Sequence, residues 1–533
     1  MLCAAARHVN RGVDAPRRRR GDSDRISGVR DLPERFNAAV FFVDRHIAEG
    51  RGGRTAFRAA GRSIGYAELA ERVDHAAAAL ASRGVELEHR VLLVLDDTPA
   101  FAAAFWGAVK LGAVAVPVNT LMTDAEYEFL LNDSRARAVL AEDAIAARLR
   151  ALGGRCPWLR AVLAPGDLER EAGARVEPAA TSREDVMYWG YTSGSTGRPK
   201  AAVHTHQNFV RAAELVGSGV FGIGPDDLTY SASKLYFAFG LGNALYFPAL
   251  AGAASVLVPE RTTPERAFEV IAAERPTIFF AVPTLYARML QVAEAELRFD
   301  LSSLRFCVSS GEALPPAIFD AWADRFGLEL VEVVGSTEAL HDFIANRPGK
   351  ARRGSAGQVV PGFEARLVDD AGRPVGPGVA GHLLVKGPTT SPFYWNRLDR
   401  TRATMLGEWL RTGDVFVQDE DGWFTFAGRA DDMVKVGGRW VAPAEVEAYL
   451  AEHPAVLEAG VVGRSGADGL TRIHAAVVLT EGARASPGLA EELRGFVAGR
   501  APGYKVPHAI EFVAELPKTA TGKVQRFRLR TEE

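Results

Sequence analysis

A segment of glycine and hydroxyl residues that ends in a lysine is the first feature of this sequence that could do chemistry. Residues 191–200 run Tyr-Thr-Ser-Gly-Ser-Thr-Gly-Arg-Pro-Lys. Glycines allow backbone N–H groups to approach an anion closely, and the hydroxyl groups add hydrogen-bond donors. Composition alone also fits a solvated loop. The order of a strand before the loop and a helix from Phe209 after it favours a phosphate-binding loop.

The residues expected to contact phosphate have small or hydroxyl-bearing side chains, apart from one lysine. They are Thr192, Ser193, Gly194, Ser195, Thr196, Gly197 and Lys200. The loop is not a Walker A motif, because Arg-Pro separates Gly197 from Lys200 and neither Ser nor Thr follows the lysine. The nucleotide chemistry should therefore differ from that of ordinary ATPases.

Three further segments place a charged side chain beside small residues. Glu338 closes the segment Val-Gly-Ser-Thr-Glu, where a carboxylate at the end of a strand could hold Mg²⁺ bound to nucleotide phosphates. Asp414 follows Arg-Thr-Gly on a predicted tight turn and could accept hydrogen bonds from both hydroxyls of a ribose. Lys523 ends a glycine-containing loop that begins at Pro517. Taken alone, each of these residues also fits a solvated charge.

The elements that must position these residues alternate between helix and strand. The predicted elements are helices at 66–83 and 101–111 and strands at 90–95, 113–118, 276–282 and 304–309. Such alternation is typical of parallel sheets covered by helices. After about Gly354 the pattern changes to short strands and turns, which predicts a small antiparallel β module.

A self-contained α/β stretch follows about residue 430. Its predicted elements are helices at 444–453 and 489–498 and strands near 433, at 459–462 and at 473–479. We therefore predict an α/β fold in three parts. These are a basic, disordered extension at 1–34, a large N-terminal domain at 35–429 and a small C-terminal domain at 430–533.

Composition limits the function classes. The chain has 533 residues, 47% of them hydrophobic, and a formal net charge of −3, so we expect no nucleic-acid partner. The three cysteines have neither pairing nor metal-ligand spacing, which favours the cytoplasm. No apolar run approaches the roughly 20 residues that cross a bilayer, and the arginine-rich N-terminus has no apolar core of a secretory signal.

Together these segments resemble the adenylate-forming superfamily of acyl-CoA synthetases, peptide-synthetase adenylation domains and luciferases. Five segments occur in the order and approximate spacing of that superfamily: 191–200, 335–338, 411–414, 428–432 and 517–523. The resemblance spans about residues 36–528. The chain is most similar to benzoate-CoA ligases and related aromatic-acid ligases in segments 41–45, 117–121, 234–243 and 335–341.

The resemblance implies a two-step reaction that uses ATP, Mg²⁺ and coenzyme A. A carboxylate attacks the α-phosphorus of ATP to give an acyl adenylate and pyrophosphate, and the thiol of coenzyme A then displaces AMP. Lys523 would bridge the carboxylate and the phosphate, Thr337 would donate to the α-phosphate, and Glu338 would hold the metal. Asp414 would bind the ribose, and Arg429 would add a ribose or phosphate contact. The backbone around Gly311, Glu312 and Ala313 would line the adenine.

The resemblance also implies a mobile C-terminal domain and an aromatic acid pocket. Asp431 would be the hinge, and Gly438 would line the passage for pantetheine, where a Cβ would obstruct. Aromatic side chains beside glycine suit a flat ring, although they also fit core packing. The acid pocket would be formed by Tyr236, Phe237, Gly240 and His341. One departure is Val334, since many relatives carry an aromatic residue there that stacks on adenine.

Two alternatives to a coenzyme A ligase stay open. The first is an adenylating enzyme that loads an aryl acid onto the thiol of a carrier protein. The second is a nucleotide-binding protein without catalysis, against which the presence of Lys523 and Glu338 argues. The expected partners are small molecules, with neither a nucleic acid nor a membrane, and the chain is expected to be a monomer or a homodimer.

Overall fold

A computed structural model describes most of the chain. The described residues are 30–192, 199–430, 432–436, 439–465, 470–518 and 524–530. Several predicted functional residues lie outside them, namely Ser193, Gly194, Ser195, Thr196, Gly197, Asp431, Gly438 and Lys523. Residues 1–29 of the predicted extension also lie outside them.

A six-stranded sheet carries the ends of the phosphate-loop segment. Its strands, in spatial order, are β6 (Ala161–Leu163), β5 (Ala138–Ala141), β3 (Arg90–Val94), β4 (Val114–Pro117), β7 (Val186–Thr192) and β8 (Lys200–Thr205). All neighbours are parallel except β7 and β8, which form an antiparallel hairpin. The central strands β3, β4 and β5 consist almost wholly of buried apolar residues, as expected for a sheet covered on both faces.

A nine-stranded mixed sheet forms the second layer. In spatial order its strands are β15 (Gln358–Val359), β14 (Asp342–Ala345), β13 (Leu330–Gly335), β12 (Phe306–Ser309), β11 (Ile278–Ala281), β9 (Leu228–Ser231), β10 (Ala254–Leu257), β1 (Thr55–Ala59) and β2 (Arg62–Gly65). The run from β13 to β1 is parallel. The carboxyl ends of β12 and β13 therefore lie at one edge, where ligands bind in open α/β sheets.

The remaining strands form smaller sheets. An antiparallel sheet contains β16 (Glu364–Val368), β17 (Ala380–Lys386), β18 (Met405–Leu406), β19 (Trp409–Gln418) and β20 (Phe424–Arg429). Towards the C-terminus, β21 (Val434–Val436) pairs with β22 (Arg439–Val441), and a three-stranded sheet contains β23 (Val456–Ser465), β24 (Thr471–Leu479) and β25 (Ala509–Phe512). The predicted fold class, with its β module and C-terminal α/β unit, is confirmed.

The helices cover both large sheets and the C-terminal sheet. Those of the first half are α1 (Arg45–Ala48), α2 (Tyr66–Ala81), α3 (Pro99–Lys110), α4 (Asp124–Ser134), α5 (Asp143–Leu152), α6 (Pro165–Glu169), α7 (His206–Ala212), α8 (Ala238–Leu241) and α9 (Phe247–Ala251). Those of the second half are α10 (Pro264–Glu274), α11 (Pro283–Met289), α12 (Ala295–Arg298), α13 (Pro316–Phe326), α14 (Leu398–Thr404), α15 (Pro443–Ala451), α16 (Pro487–Ala498) and α17 (Arg526–Arg530). Among the described residues no helix combines the length and apolarity needed to cross a bilayer.

Local sequence explains the two longest helices of the first half. Buried residues recur along one face of α2, and Gly84, whose φ is 73°, follows its end. The neighbouring α3 begins with Pro99, a residue suited to the first turn because it has no N–H to satisfy. Gly107 of α3 lies against Ala76 of α2, where an added Cβ would come within 2.7 Å of the alanine Cβ. These small residues let the two helices pack closely.

Two features differ from the sequence predictions. A strand, β8, separates the phosphate-loop segment from the helix that follows, so the loop joins a hairpin rather than leading into a helix. The fold also begins before residue 35, because Leu32 is buried and its carbonyl accepts a 2.7 Å hydrogen bond from Arg183. The domain boundary near residue 430 stays a prediction.

Candidate active site

The β7–β8 hairpin fixes the two ends of the phosphate-loop segment. Thr192, the last residue of β7, is the antiparallel partner of Lys200, the first residue of β8. The backbone of the lysine is therefore held in a ladder rather than in a free loop. Its side chain is mostly buried and extends towards Glu338.

Lys200, Tyr394 and Glu338 form a compact cluster. The Lys200 ammonium donates a 2.6 Å hydrogen bond to the Tyr394 hydroxyl, which in turn donates a 2.5 Å bond to Oε1 of Glu338. The ammonium lies 3.5 Å from the same Oε1. Burial raises the pKa of Glu338, but the charge of Lys200 and the bond from Tyr394 outweigh it, so the net pKa lies below its ordinary value. The carboxylate is therefore ionised at neutral pH.

Thr337 and Glu338 lie on a tight turn directly after β13. The turn Thr337–Ala339 is one turn of 3₁₀-helix, and the Ser336 hydroxyl accepts from the N–H of Ala339. His204, on β8, donates from Nε2 to the carbonyl of Thr337 over 2.7 Å. A Cβ at Gly190 of β7 would overlap the Thr337 methyl group. The β7–β8 hairpin thus packs against the turn and supports it. Gly190 is required for the close approach of β7 to Thr337.

Replacing His204 by glutamine should make the protein less sensitive to mild acid. Burial lowers the pKa of His204 to about 4, whereas an unfolded histidine titrates near about 6.5. The stability contributed by its neutral form is complete above the unfolded pKa and is lost as the pH falls towards the folded pKa. Between about pH 7.5 and about pH 5 this loss amounts to about 2 kcal/mol.

Urea unfolding of wild type and His204→Gln at those two pH values measures the effect. The free energy of unfolding of the variant should fall by about 2 kcal/mol less than that of wild type. Equal decreases in the two proteins would show that His204 is not the titrating group. Glutamine keeps an N–H donor for the Thr337 carbonyl. The comparison therefore separates the effect of protonating His204 from the effect of losing this hydrogen bond.

Asp414 and Arg429 are paired across neighbouring strands. They are register partners on β19 and β20, and Arg429 donates from one guanidinium nitrogen to Oδ1 of Asp414 at 2.8 Å and to the carbonyl of Thr412 at 3.1 Å. The predicted tight turn at Asp414 is wrong, because Gly413 and Asp414 lie inside β19. Gly413, with φ at 78°, occupies an irregularity in the pairing of β17 with β19. Asp414, predicted to bind the ribose, and Arg429, predicted to contact the ribose or a phosphate, therefore lie side by side.

The segment predicted to line the adenine follows β12. Gly311 has φ at 92°, a left-handed conformation that favours glycine, and it is followed by Glu312 and Ala313. The next N–H, that of Leu314, donates a 3.0 Å bond to the buried carboxyl group of Glu332 on β13. Burial raises the pKa of Glu332 to about 7, and the bond from Leu314 opposes that rise. Glu332 thus ties this loop to the strand that ends at the Glu338 turn.

The predicted acid-pocket residues cluster around α8. The rings of Tyr236 and Phe237 meet edge to face with centroids 4.7 Å apart, and both are half-buried. His341 is buried, with Nδ1 2.9 Å from Oδ2 of Asp342 and Nε2 3.3 Å from the carbonyl of Phe239. Its ring also packs on Phe247 at a centroid distance of 4.4 Å. His341 therefore links the turn that carries Glu338 to residues 236–239, called the aromatic segment below.

Glycines allow the chain to pack closely in this region. A Cβ at Gly240 would overlap the carbonyls of Ser233 and Lys234, so this glycine is required by a close backbone approach. A Cβ at Gly242 would overlap the ring of His341. Gly242 opens a short π-helical stretch, Gly242–Tyr246, of the kind often found at functional sites.

A buried clamp holds the start of the aromatic segment. The Lys234 ammonium donates to the carbonyls of Val258 and Glu260 at 2.6 Å each and lies 3.7 Å from Oδ2 of Asp97. Oδ1 of Asp97 accepts from the N–H of Leu235 at 2.9 Å. Burial raises the pKa of Asp97 to about 6, and the charge of Lys234 opposes that rise. This clamp fixes the backbone just before Tyr236.

The donor set around Glu338 suits Mg²⁺. Among the described residues no group of three or more His, Cys, Asp or Glu side chains could hold a metal ion alone. Mg²⁺ in nucleotide sites usually takes one or two carboxylates and obtains its other ligands from phosphates and water. Glu338 is ionised, and Tyr394 and Lys200 both contact its Oε1, so Oε2 is the oxygen that could bind the metal.

Several residues of the site were missed by sequence reasoning. They are Tyr394, His204, Asp97, Lys234, Glu332 and Asp342. The apolar run at 201–203 after Lys200 could have predicted β8 and with it His204. The contact between Tyr394 and Glu338 spans 56 residues and has no local signal.

Comparison with known proteins agrees with this geometry. The AMP-binding enzyme family matches residues 44–395, and its C-terminal domain matches residues 445–523. A benzoate–CoA ligase of Thauera aromatica is 42% identical, with 94% of this chain and 97% of the relative covered. A 4-hydroxybenzoate–CoA/benzoate–CoA ligase of Rhodopseudomonas palustris is 43% identical, with 93% and 94% covered.

Solved structures give the same result. The crystal structure of an anthranilate CoA ligase in complex with anthranoyl-AMP superposes with a TM-score of 0.90 at 38% identity, covering 93% of this chain and 97% of that one. The resemblance to adenylate-forming enzymes, and within them to aromatic-acid CoA ligases, is confirmed. Family match, near full-length relatives and superposed fold agree, and the chain therefore belongs to the AMP-binding enzyme family.

Proposed function

We propose that this protein is an ATP-dependent, AMP-forming ligase that joins an aromatic carboxylic acid to coenzyme A. The acid is benzoate or a substituted benzoate, as in the names of the relatives that are 42% and 43% identical. Its substrates are the acid, ATP and coenzyme A, and its metal is Mg²⁺. We place it in the cytoplasm, a proposal supported by Cys156 and Cys307, which are buried free thiols.

The observation that best supports the proposal is that a single turn carries both a residue assigned to the nucleotide, Glu338, and a residue assigned to the acid, His341. Glu338 contacts Lys200, which we assign to the nucleotide. His341, three residues later, contacts the carbonyl of Phe239, in the aromatic segment that we assign to the acid. A carboxylate held beside that segment would therefore lie next to a phosphate held by the hairpin. This is the arrangement that acyl adenylate formation requires.

The first half-reaction must bring two anions together. Two like charges about 4 Å apart repel by about 4 kcal/mol at an effective dielectric constant near 20. A carboxylate oxygen of the acid attacks the α-phosphorus of ATP, the bond to the bridging oxygen breaks, and pyrophosphate leaves. We assign Lys200 and the loop that precedes it to the departing phosphates, Thr337 to the α-phosphate and Lys523 to the two reacting groups.

The remaining roles follow the same pattern. Mg²⁺ bound to Glu338 would supply positive charge to the phosphates. Asp414 and Arg429 would hold the ribose, and Gly311, Glu312 and Ala313 would border the adenine. In the second half-reaction the sulfur of coenzyme A attacks the acyl carbon, the acyl–phosphate bond breaks, and AMP leaves.

We propose that the small C-terminal domain, beginning near residue 430, moves between the two half-reactions. Asp431 would be the hinge and Gly438 would line the pantetheine passage. The ion pair between Arg288 of α11 and Glu458 of β23, at 3.3 Å, supports one docked position of that domain. Because Arg288 is half exposed, such a contact is weak enough to break during a rotation.

A panel of aryl acids tests the proposal. Purified protein with ATP, Mg²⁺ and coenzyme A should release AMP with benzoate or a simple substituted benzoate and form the corresponding thioester. Pyrophosphate exchange into ATP without coenzyme A reports the first half-reaction alone. If exchange occurs but coenzyme A yields no thioester, a carrier-protein thiol becomes the acceptor to test. If no aryl acid supports exchange, the proposed function is wrong.

Replacing Gly242 by alanine should weaken acid binding. The added Cβ would overlap the ring of His341 and displace it from Phe239, so the KM for benzoate should rise by about tenfold, with a much smaller change in the KM for ATP. The matched control is Gly495→Ala on α16, where an added Cβ meets no atom within 4 Å. A KM for benzoate unchanged in Gly242→Ala would separate His341 from the acid pocket.

A further inference from the structure

Tyr394 is the group on which the cation and the carboxylate of the site converge. Its hydroxyl lies 2.6 Å from the Lys200 ammonium and 2.5 Å from Oε1 of Glu338. Since an ammonium can only donate and an ionised carboxylate can only accept, the hydroxyl accepts from the lysine and donates to the glutamate. The donor and the acceptor function of the phenol are therefore both occupied, in a chain of hydrogen bonds that runs from Lys200 through Tyr394 to Glu338.

The backbone on both sides of Tyr394 is tied to the β7–β8 sheet. Tyr394 forms a β-bridge with Ala202 of β8, and the N–H of Trp395 donates to the carbonyl of Ala201 at 3.0 Å. Immediately upstream, the N–H of Ser391 donates to the carbonyl of Glu338 at 2.6 Å. The segment 391–395 thus contacts both the hairpin and the Glu338 turn.

Asp133 at the end of α4 anchors the other side of this segment. Its carboxylate accepts a 2.6 Å bond from Arg397 and a 2.8 Å bond from the hydroxyl of Tyr191, the residue before Thr192. Its carbonyl accepts from the indole N–H of Trp395 at 2.9 Å. The Asp133 side chain is only 8% exposed. The position of Tyr394 is therefore set by contacts that also hold the start of the phosphate-loop segment.

The uncharged phenol of Tyr394 separates the Lys200 ammonium from the Glu338 carboxylate. Its hydroxyl carries the proton that it donates to Oε1 of Glu338 while it accepts from Lys200. The hydroxyl and the lysine both contact Oε1, which leaves Oε2 outside these two contacts. With the hydroxyl removed, the lysine and the carboxylate could close into a direct bidentate pair.

We propose that Tyr394 is a positioning residue for acyl adenylate formation, which keeps the Lys200 ammonium available to phosphate and one oxygen of Glu338 available to Mg²⁺. The inference rests on the proposed function. It assigns to the site a residue that acts through its two hydrogen-bond partners, Lys200 and Glu338.

The test compares Tyr394→Phe with Tyr66→Phe. Tyr66 is a buried tyrosine of α2 whose hydroxyl donates a 2.7 Å bond to the carbonyl of Ala253, so its variant also loses one buried hydroxyl contact. Two quantities are measured: the Mg²⁺ concentration for half-maximal pyrophosphate exchange and the Kd for ATP in the presence of Mg²⁺, obtained by calorimetry. In Tyr394→Phe both should rise by about tenfold or more, because charge-assisted hydrogen bonds are lost.

The KM for benzoate and the Tm should stay close to those of the Tyr66→Phe control. A double variant, Glu338→Gln with Tyr394→Phe, supplies a second criterion. If Tyr394 acts through Glu338, adding Tyr394→Phe to Glu338→Gln should change the Mg²⁺ requirement by less than about twofold. If Tyr394→Phe raises the Mg²⁺ requirement by the same factor in the Glu338→Gln background as in wild type, the two residues act independently and the inference is overturned.

The outcomes separate this inference from the proposed function. If wild type shows no exchange with any acid, the proposed function fails and the role of Tyr394 in acyl adenylate formation fails with it, while the calorimetric comparison still decides whether Tyr394 supports binding of ATP with Mg²⁺. If wild type is active and Tyr394→Phe matches Tyr66→Phe in both quantities, the inference is wrong. If Tyr394→Phe raises the Mg²⁺ requirement while Tyr66→Phe does not, the inference is supported.

Discussion

Pyrophosphate exchange should fall by about 100-fold or more in Lys523→Ala, whereas thioester formation from supplied benzoyl-AMP should stay within about twofold of wild type. The reason is electrostatic. Lys523 is assigned to the step in which two anions approach, and attack of the thiol on a preformed adenylate has no such demand. Benzoyl-CoA measured by chromatography from ATP and benzoate, and separately from benzoyl-AMP, distinguishes the two half-reactions.

The control for that prediction is Lys350→Ala, which removes one exposed lysine from a surface turn of the large domain. It should leave both half-reactions at the wild-type rate. Equal losses of exchange and of thioester formation in Lys523→Ala would refute the division of labour between the half-reactions. Loss of the thioester step alone would place Lys523 in the second half-reaction instead.

Glu338→Gln should also lower pyrophosphate exchange by about 100-fold and raise the required Mg²⁺ concentration. Glutamine can still accept the bond from Tyr394, so the change removes charge while preserving shape. The pKa of Lys200 is lowered by burial and partly restored by Glu338. Loss of the carboxylate should lower that pKa further, and exchange should then recover in part as the pH is reduced.

Exchange measured across Mg²⁺ concentration and pH tests both parts of this expectation. Glu364→Gln, on the exposed edge strand β16, is the matched control for loss of one carboxylate. A variant Glu338→Gln with a wild-type Mg²⁺ requirement would show that the metal is held without this residue. The benzoate KM should change little, since we assign Glu338 to the metal and the nucleotide rather than to the acid.

Much of the fold could be predicted because its signals are local. The helix predicted at 66–83 is α2, and the strand predicted at 90–95 is β3, since each has a complete apolar pattern and a clear stop. The strand β8 was missed because its apolar run is bounded by the polar residues Lys200 and His204, which suggest a loop. Only pairing with β7 makes it a strand.

Site residues could be predicted only where they belong to a motif of consecutive residues. Glu338, Asp414 and Lys200 each belong to such a segment, and the structure places Glu338 and Lys200 in contact. Tyr394 and Asp133 act through partners far away in the chain, 194 residues from Lys200 in one case and 264 residues from Arg397 in the other. Contacts of that range depend on how the two large sheets and the β module meet, which periodicity does not encode.

The single turn between β13 and β14 has a consequence for redesign. Because Glu338 and His341 share it, we expect under the proposed function that a library varying His341 to admit bulkier rings will also disturb ATP turnover. Tyr236 and Phe237 lie beyond the Asp97–Lys234 clamp on a separate element, where diversity can be introduced without moving that turn. Under the proposed function, acid preference is therefore better altered at Tyr236 and Phe237, with His341 left unchanged.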